Sequence, residues 1–137
     1  MARPLPCALA LIEAVLAASA FSDLEAVARE RAPWFASDAQ VREALALASR
    51  EAGVRLTEAS PLAAAPRVHV PVLLVHGSRD AETGPAHSRR LHAALARSEL
   101  RLVAGAGHDD VMGAAWPGIE AWLVSLFPAA PLVSPAP

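Results

Sequence analysis

Residues 70–76 read VPVLLVH, followed at once by Gly77 and three residues later by Asp80. The run is apolar, rich in valine and leucine, and too short for a helix. It has no polar residue on alternate positions. Such a segment suits a strand covered on both faces, as in a parallel sheet. Pro71 has no N–H to give to a ladder, so it must stand at the start of that strand. A parallel neighbour cannot be reached through a tight turn. The chain on either side must therefore cross over, and it does so most economically through helices.

The flanking sequence reads that way. EAVLAASAF, from Glu13 to Phe21, predicts a buried strand over Ala14–Ala20, ended by Ser22-Asp23. Ser22 is placed to cap a helix from Asp23 to about Ala32, with Pro33 disfavouring its continuation. A second helix is expected from Asp38 to about Ala52. Val41, Ala44, Leu45 and Ala48 make its apolar face, and Gly53 stands at the left-handed C-terminal position. Ser60-Pro61 opens a further helical turn. Beyond the central strand, Gly84-Pro85 begins a helix to about Ala96, with Ser88, Leu91 and Leu95 on one face. Leu100–Ala104 is a third strand. A last helix covers roughly Gly118–Leu126, with Ile119, Trp122, Leu123 and Leu126 facing inward. The Pro/Ala-rich residues 128–137 read as a disordered tail. The expected fold class is α/β: about three parallel strands flanked by helices in one domain, 1–127, with a lid-like helical excursion over about 21–69.

Composition narrows the function classes. Hydrophobic residues make up 54% of the chain and charged ones 19%, which excludes a disordered protein. Much of that hydrophobicity is alanine, 33 residues of 137. The net charge is −2, and every basic residue is an arginine, with no basic patch, so nucleic acid is not an expected partner. A single cysteine, Cys7, excludes a disulfide framework, and no motif His or Asn near it makes it a catalytic thiol. Residues 1–20 mimic an export signal, with Arg3 before an apolar run and Ala18-Ser19-Ala20 as a cleavage-like end. Glu13 in that run argues against export, and a cytoplasmic protein is expected. No stretch is long enough and free enough of charge to span a membrane.

In an open α/β sheet, sites form beyond the carboxyl ends of the strands. Two polar groups fall there. Asp80 lies in His76-Gly77-Ser78-Arg79-Asp80, and His108 in Gly105-Ala106-Gly107-His108-Asp109-Asp110. Neighbouring strands lie ~4.8 Å apart, so an Asp and a His on adjacent strand ends can hydrogen-bond. The Asp would fix the His tautomer and stabilise its imidazolium. The His could then act as a general base.

VPVLLVHGSRD, a helix, and then LRLVAGAGHDD resemble the C-terminal part of an α/β-hydrolase, closest to the serine-aminopeptidase-like and prolyl-oligopeptidase-like branch. AVLAASAFSDL resembles the strand after the nucleophile helix in that branch, so the resemblance covers about residues 14–127. It implies that Asp80 is the acid and His108 the base of a serine hydrolase acting on ester, thioester or peptide bonds, with a small acyl or peptide substrate and no cofactor. The family's G-x-S-x-G elbow is absent. Ser19 and Ser22 stand among Ala, Phe and Asp, and Ser78 is followed by Arg79 and Asp80. No oxyanion-hole motif precedes the first strand. On this resemblance the chain begins after the nucleophile, near the family's sixth strand, and is inactive alone.

A non-catalytic interaction protein on a degenerate form of this fold is the alternative, with self-association through an open sheet edge. A metal reading would gather His76, Asp80, His108, Asp109 and Asp110, but no tight ligand spacing supports it, and no metal is expected. His76 is expected to pack at the strand end or bond to backbone. His69, His87 and His92 are expected on the surface or on a helix face, Asp109 and Asp110 at a helix cap or the surface, and Arg89 and Arg90 on a solvated helix face. Trp34 and Phe35 are expected to pack the excursion onto the sheet, the alternative being that they line a substrate pocket in a lid, and Trp116 and Trp122 to be core or staple residues of the last helix.

Overall fold

The computed structural model describes residues 12–58 and 60–128. Cys7 and the tail beyond residue 128 lie outside the described residues. Three strands, β1 (Val15–Ala18), β2 (Val72–Gly77) and β3 (Ser98–Val103), form one sheet in the order β1-β2-β3. Both pairings are parallel: Val15 stands opposite Val72 and Ala18 opposite Val75, while Val72 faces Ser98 and Gly77 faces Val103. The helices are α1 (Leu24–Arg31), α2 (Asp38–Ala52), α3 (Pro61–Ala64), α4 (Ala86–Ala94) and α5 (Val111–Leu126). Single 3-10 turns cover Leu56–Glu58 and Ala65–Arg67.

The central strand behaves as its sequence requires, with all six residues buried. Alternation splits them between two cores. Leu73 and Val75 pack with Ala115, Ile119 and Trp122 of α5. Val72 and Leu74 pack on the other face with Leu91 of α4. The sheet is thus covered on both sides, and β2 needs no polar face. β1, expected to be buried, is only half-buried along its length, because it is an edge strand with a partner on one side.

Local signals set the helix ends. Asp23, rather than Ser22, caps α1, its Oδ1 accepting from the Ala26 N–H at 2.7 Å. Ser37 and Gln40 form a reciprocal capping box on α2, which the sequence reading did not pick out, and Gly53 ends that helix at φ 69°. The largest departure is α5, which begins at Val111 and not near Gly118, and runs through Pro117. An internal proline costs a helix ~3 kcal/mol. Here Val111, Ala115, Ile119 and Trp122 fall on one stripe and are all buried. That burial, at ~1.5–3 kcal/mol for each large side chain, outweighs the proline. Trp116 and Leu123 lie off the stripe and are exposed, against expectation.

Trp34 and Phe35 do not pack on the sheet. They are 96% and 71% exposed and meet each other edge to face at the turn between α1 and α2, with centroids 5.7 Å apart. His87, expected on the surface or a helix face, lies on α4 and is fully buried. Its Nδ1 accepts from the Ser22 N–H at 3.1 Å and lies 2.8 Å from the Ser22 hydroxyl. Its Nε2 meets Glu30 of α1 at 2.9 Å. Arg90, also read as merely solvated, donates to the Ser22 hydroxyl at 3.2 Å. This cluster ties α1 to α4. His69 and His92 are exposed, as expected.

Candidate active site

Because all three strands run the same way, the segments after β1, β2 and β3 gather at one end of the sheet. There Asp80 and His108 meet: His108 Nδ1 lies 2.9 Å from Asp80 Oδ2. Asp80 is buried, while the His108 side chain keeps 34% of its surface open. An ionised carboxylate can only accept, so the shared hydrogen sits on Nδ1 and the lone pair of neutral His108 is on Nε2. That nitrogen has no hydrogen-bond partner among the described residues.

The two loops are laced together by backbone. The Arg79 N–H donates to the Ala106 carbonyl at 2.9 Å, the Ser78 N–H to Val103 at 3.0 Å, and the Gly105 N–H to the Ser78 hydroxyl at 2.9 Å. Gly77 makes this approach possible, because a Cβ there would drive into the carbonyl oxygens of Ala106 and Gly107. Asp110, at the start of α5, accepts from the Gly107 N–H at 2.6 Å and so braces the histidine loop from its far side. Asp109 is exposed.

Asp80 is held as an anion. Burial alone would raise its pKa. The Thr83 N–H, the Ser19 hydroxyl, the His108 ring and the Glu82 N–H oppose this and hold the carboxyl below its usual range. Oδ1 takes the Thr83 and Glu82 N–H groups at 2.8 and 2.9 Å, leaving Oδ2 for His108. His76 is bonded to backbone at the strand end, as expected, but it does more. It is fully buried, with Nε2 2.7 Å from the Thr83 carbonyl and 3.2 Å from Asp80 Oδ2, and Nδ1 2.6 Å from the Ser88 hydroxyl. A carbonyl only accepts, so Nε2 carries the hydrogen and fastens the loop whose N–H groups hold Asp80. The spacing of His76 four residues before Asp80 was the available signal. Among the described residues no cluster of His, Cys, Asp and Glu is arranged to hold a metal. An apolar groove of about 400 Å³ lies between α1 and α2, lined by Ala28, Val41 and Leu45 among others, away from Asp80 and His108.

The sequence model of the TAP-like protein family matches residues 45–124, which include Asp80, His108 and the two strands that carry them. The chain belongs to the TAP-like protein family. No curated protein sequence matches it. Among solved structures, a Mycobacterium tuberculosis puromycin-hydrolyzing peptidase is similar at 25% identity and a TM-score of 0.61, over 85% of this chain and 18% of the peptidase. The acylaminoacyl peptidase of Pyrococcus horikoshii is similar at 15% identity and a TM-score of 0.57, over 85% and 19%. Acetyl xylan esterase 1 of Thermoanaerobacterium follows at 13% identity and a TM-score of 0.59, over 85% and 38%. This TAP-like chain has the fold of the C-terminal part of an α/β-hydrolase and spans about a fifth of the length of the two peptidases. None of its described helices is long and apolar enough to cross a membrane.

Proposed function

We propose that Asp80 and His108 are the acid and base of a serine hydrolase acting on ester, thioester or peptide bonds, and that the 137-residue chain alone does not turn over substrate. The observation that carries this is the 2.9 Å bond between His108 Nδ1 and the buried Asp80 carboxylate, with Nε2 left free at a half-open surface. The peptidases and the esterase named above support the substrate class. In the proposed reaction a serine hydroxyl supplied from outside this sequence attacks the acyl carbonyl. His108 Nε2 takes its proton, Asp80 stabilises the imidazolium, and the proton passes to the leaving alcohol, thiol or amine. Water then repeats the cycle on the acyl-enzyme. The pair has no nucleophile or oxyanion-hole motif in its own sequence, and those groups make the main transition-state contacts. The helical segment between β1 and β2 is read as a lid-like excursion.

The test has two arms. The purified chain is treated with a serine-directed fluorophosphonate and assayed with an activated ester; no labelling and no His108-dependent rate are expected. Labelling that is lost in His108→Ala would refute inactivity of the chain alone. In an enzyme assembled with a nucleophile-bearing segment, His108→Ala is expected to lower kcat by about 10⁶-fold. An unchanged kcat would remove His108 as the base and favour the non-catalytic interaction reading.

A further inference from the structure

Two imidazoles converge on Asp80 Oδ2, and the proposed acid–base chemistry uses only one of them. His108 Nδ1 stands 2.9 Å away on the open side, and His76 Nε2 stands 3.2 Å away on the buried side. His76 is fully enclosed, and so is Ser88. An enclosed imidazole is costly unless both ring nitrogens have partners. Here both do. Nδ1 lies 2.6 Å from the Ser88 hydroxyl, in the first turn of α4, and Nε2 lies 2.7 Å from the Thr83 carbonyl.

These partners fix where the ring hydrogen sits. The Thr83 carbonyl only accepts, so Nε2 carries a hydrogen. The Ser88 hydroxyl has no other partner among the described residues, so its own hydrogen goes to Nδ1. The ring therefore presents its N–H edge to the side where the carboxylate lies. Thr83 is gripped twice: its N–H donates to Asp80 Oδ1 at 2.8 Å, and its carbonyl takes the His76 hydrogen. With Oδ1 tied to Thr83, the carboxylate can turn Oδ2 away from His108 only if Thr83 moves. His76, standing at the end of β2, holds Thr83 where it is. The same N–H edge also sets the positive end of a bond dipole close to Oδ2.

We propose that His76 is a positioning residue for Asp80: by holding the Thr83 carbonyl and turning its Nε2–H edge to Oδ2, it keeps that oxygen directed at His108. The catalytic meaning rests on the reading of Asp80 and His108 as acid and base, but the test does not. It reads the His108 tautomer in the 137-residue chain, from long-range ¹H–¹⁵N spectra of the ring nitrogens at mildly alkaline pH. With Oδ2 in place the His108 hydrogen sits on Nδ1; a histidine in water prefers it on Nε2. A glutamine amide nitrogen reaches the position of Nε2 in His76, whereas an asparagine side chain reaches only as far as Nδ1. His76→Gln is expected to keep His108 in its Nδ1–H form, and His76→Asn to shift it toward Nε2–H. A role in packing alone would lower the melting temperatures of both variants and leave the His108 tautomer in place. A tautomer that survives His76→Asn overturns the proposal, and so does one lost equally in both variants. Should His76→Asn fail to fold, the unsubstituted chain supplies a second measurement. There His76 itself is expected to carry hydrogen on Nε2 alone, and hydrogen on Nδ1 overturns the assignment. Failure of the acid–base reading is seen elsewhere, in an unchanged kcat for His108→Ala.

Discussion

A methyl group on Gly77 would press into the backbone carbonyls of Ala106 and Gly107, the two residues that lead into His108. Those atoms are main chain, so they cannot swing aside as a flexible side chain would. Gly77→Ala is expected to push the histidine loop off the end of β2 and break the bond between His108 and Asp80, at a cost of ~1–3 kcal/mol in stability. The check is the His108 imidazole nitrogen spectrum, in which the Nδ1–H signature should be lost. A spectrum identical to that of the unsubstituted chain would mean that the loops tolerate the separation. His76 acts at the same scale and by a different route, through the Thr83 carbonyl that it holds. Asp80 and His108 are recognisable from residue type and loop context. Gly77 reads only as a turn glycine in sequence, because the carbonyls it makes room for lie about thirty residues downstream.

Helices and strands were legible to the degree that their determinants are local. The apolar run at β2, the periodic face of α2 with its Gly53 end, and the Ser60-Pro61 start of α3 all depend on residues within one or two turns. α5 was not legible in its first half, since Pro117 and Gly113 argue locally against a helix and only the sheet beneath supplies the burial that outweighs them. The attachment of α1 is also non-local. His87 on α4 bonds Ser22 across 65 residues and Glu30 across 57. These three side chains present a Ser, a His and a carboxylate together, yet the serine is fully enclosed and the cluster works as a tether. His87→Ala is expected to destabilise the chain by ~1–3 kcal/mol, since it strips the buried Ser22 N–H of its acceptor. Hydrogen exchange should then quicken across α1 and leave β2 protected. Uniform quickening over both would show that the tether is not local to α1.

For the whole molecule the Asp80 carboxylate links stability to pH. Its folded pKa is depressed, so its contribution is complete above the unfolded value near pH 4 and is lost as pH falls through the lower folded value. Asp80→Asn is therefore expected to be less stable than the parent chain at pH 7, with the gap narrowing below about pH 4. Urea midpoints at pH 7, 4 and 3 measure this. A gap that stays constant would mean that the lost shape of the carboxylate, and not its charge, is responsible. The two cores on opposite faces of β2 carry this consequence to the site. Any loss of packing under α4 or α5 reaches the loops that hold Asp80 and His108, because both loops leave from strands clamped between those helices.

The sequence by itself determined the alternation of strands and helices, the parallel character of the sheet, and the two loops that bring Asp80 and His108 to one end of it. Strand burial, turn chemistry and crossover geometry act over short stretches or follow from chain order, and they survive without knowledge of distant partners. Only the tertiary structure decided that Ser19 adopts a left-handed backbone after β1, that His87 is buried, that α5 runs through a proline, and that Trp34 and Phe35 face outward. Each of these depends on which surfaces meet across tens of residues, where packing free energy overrides local preference.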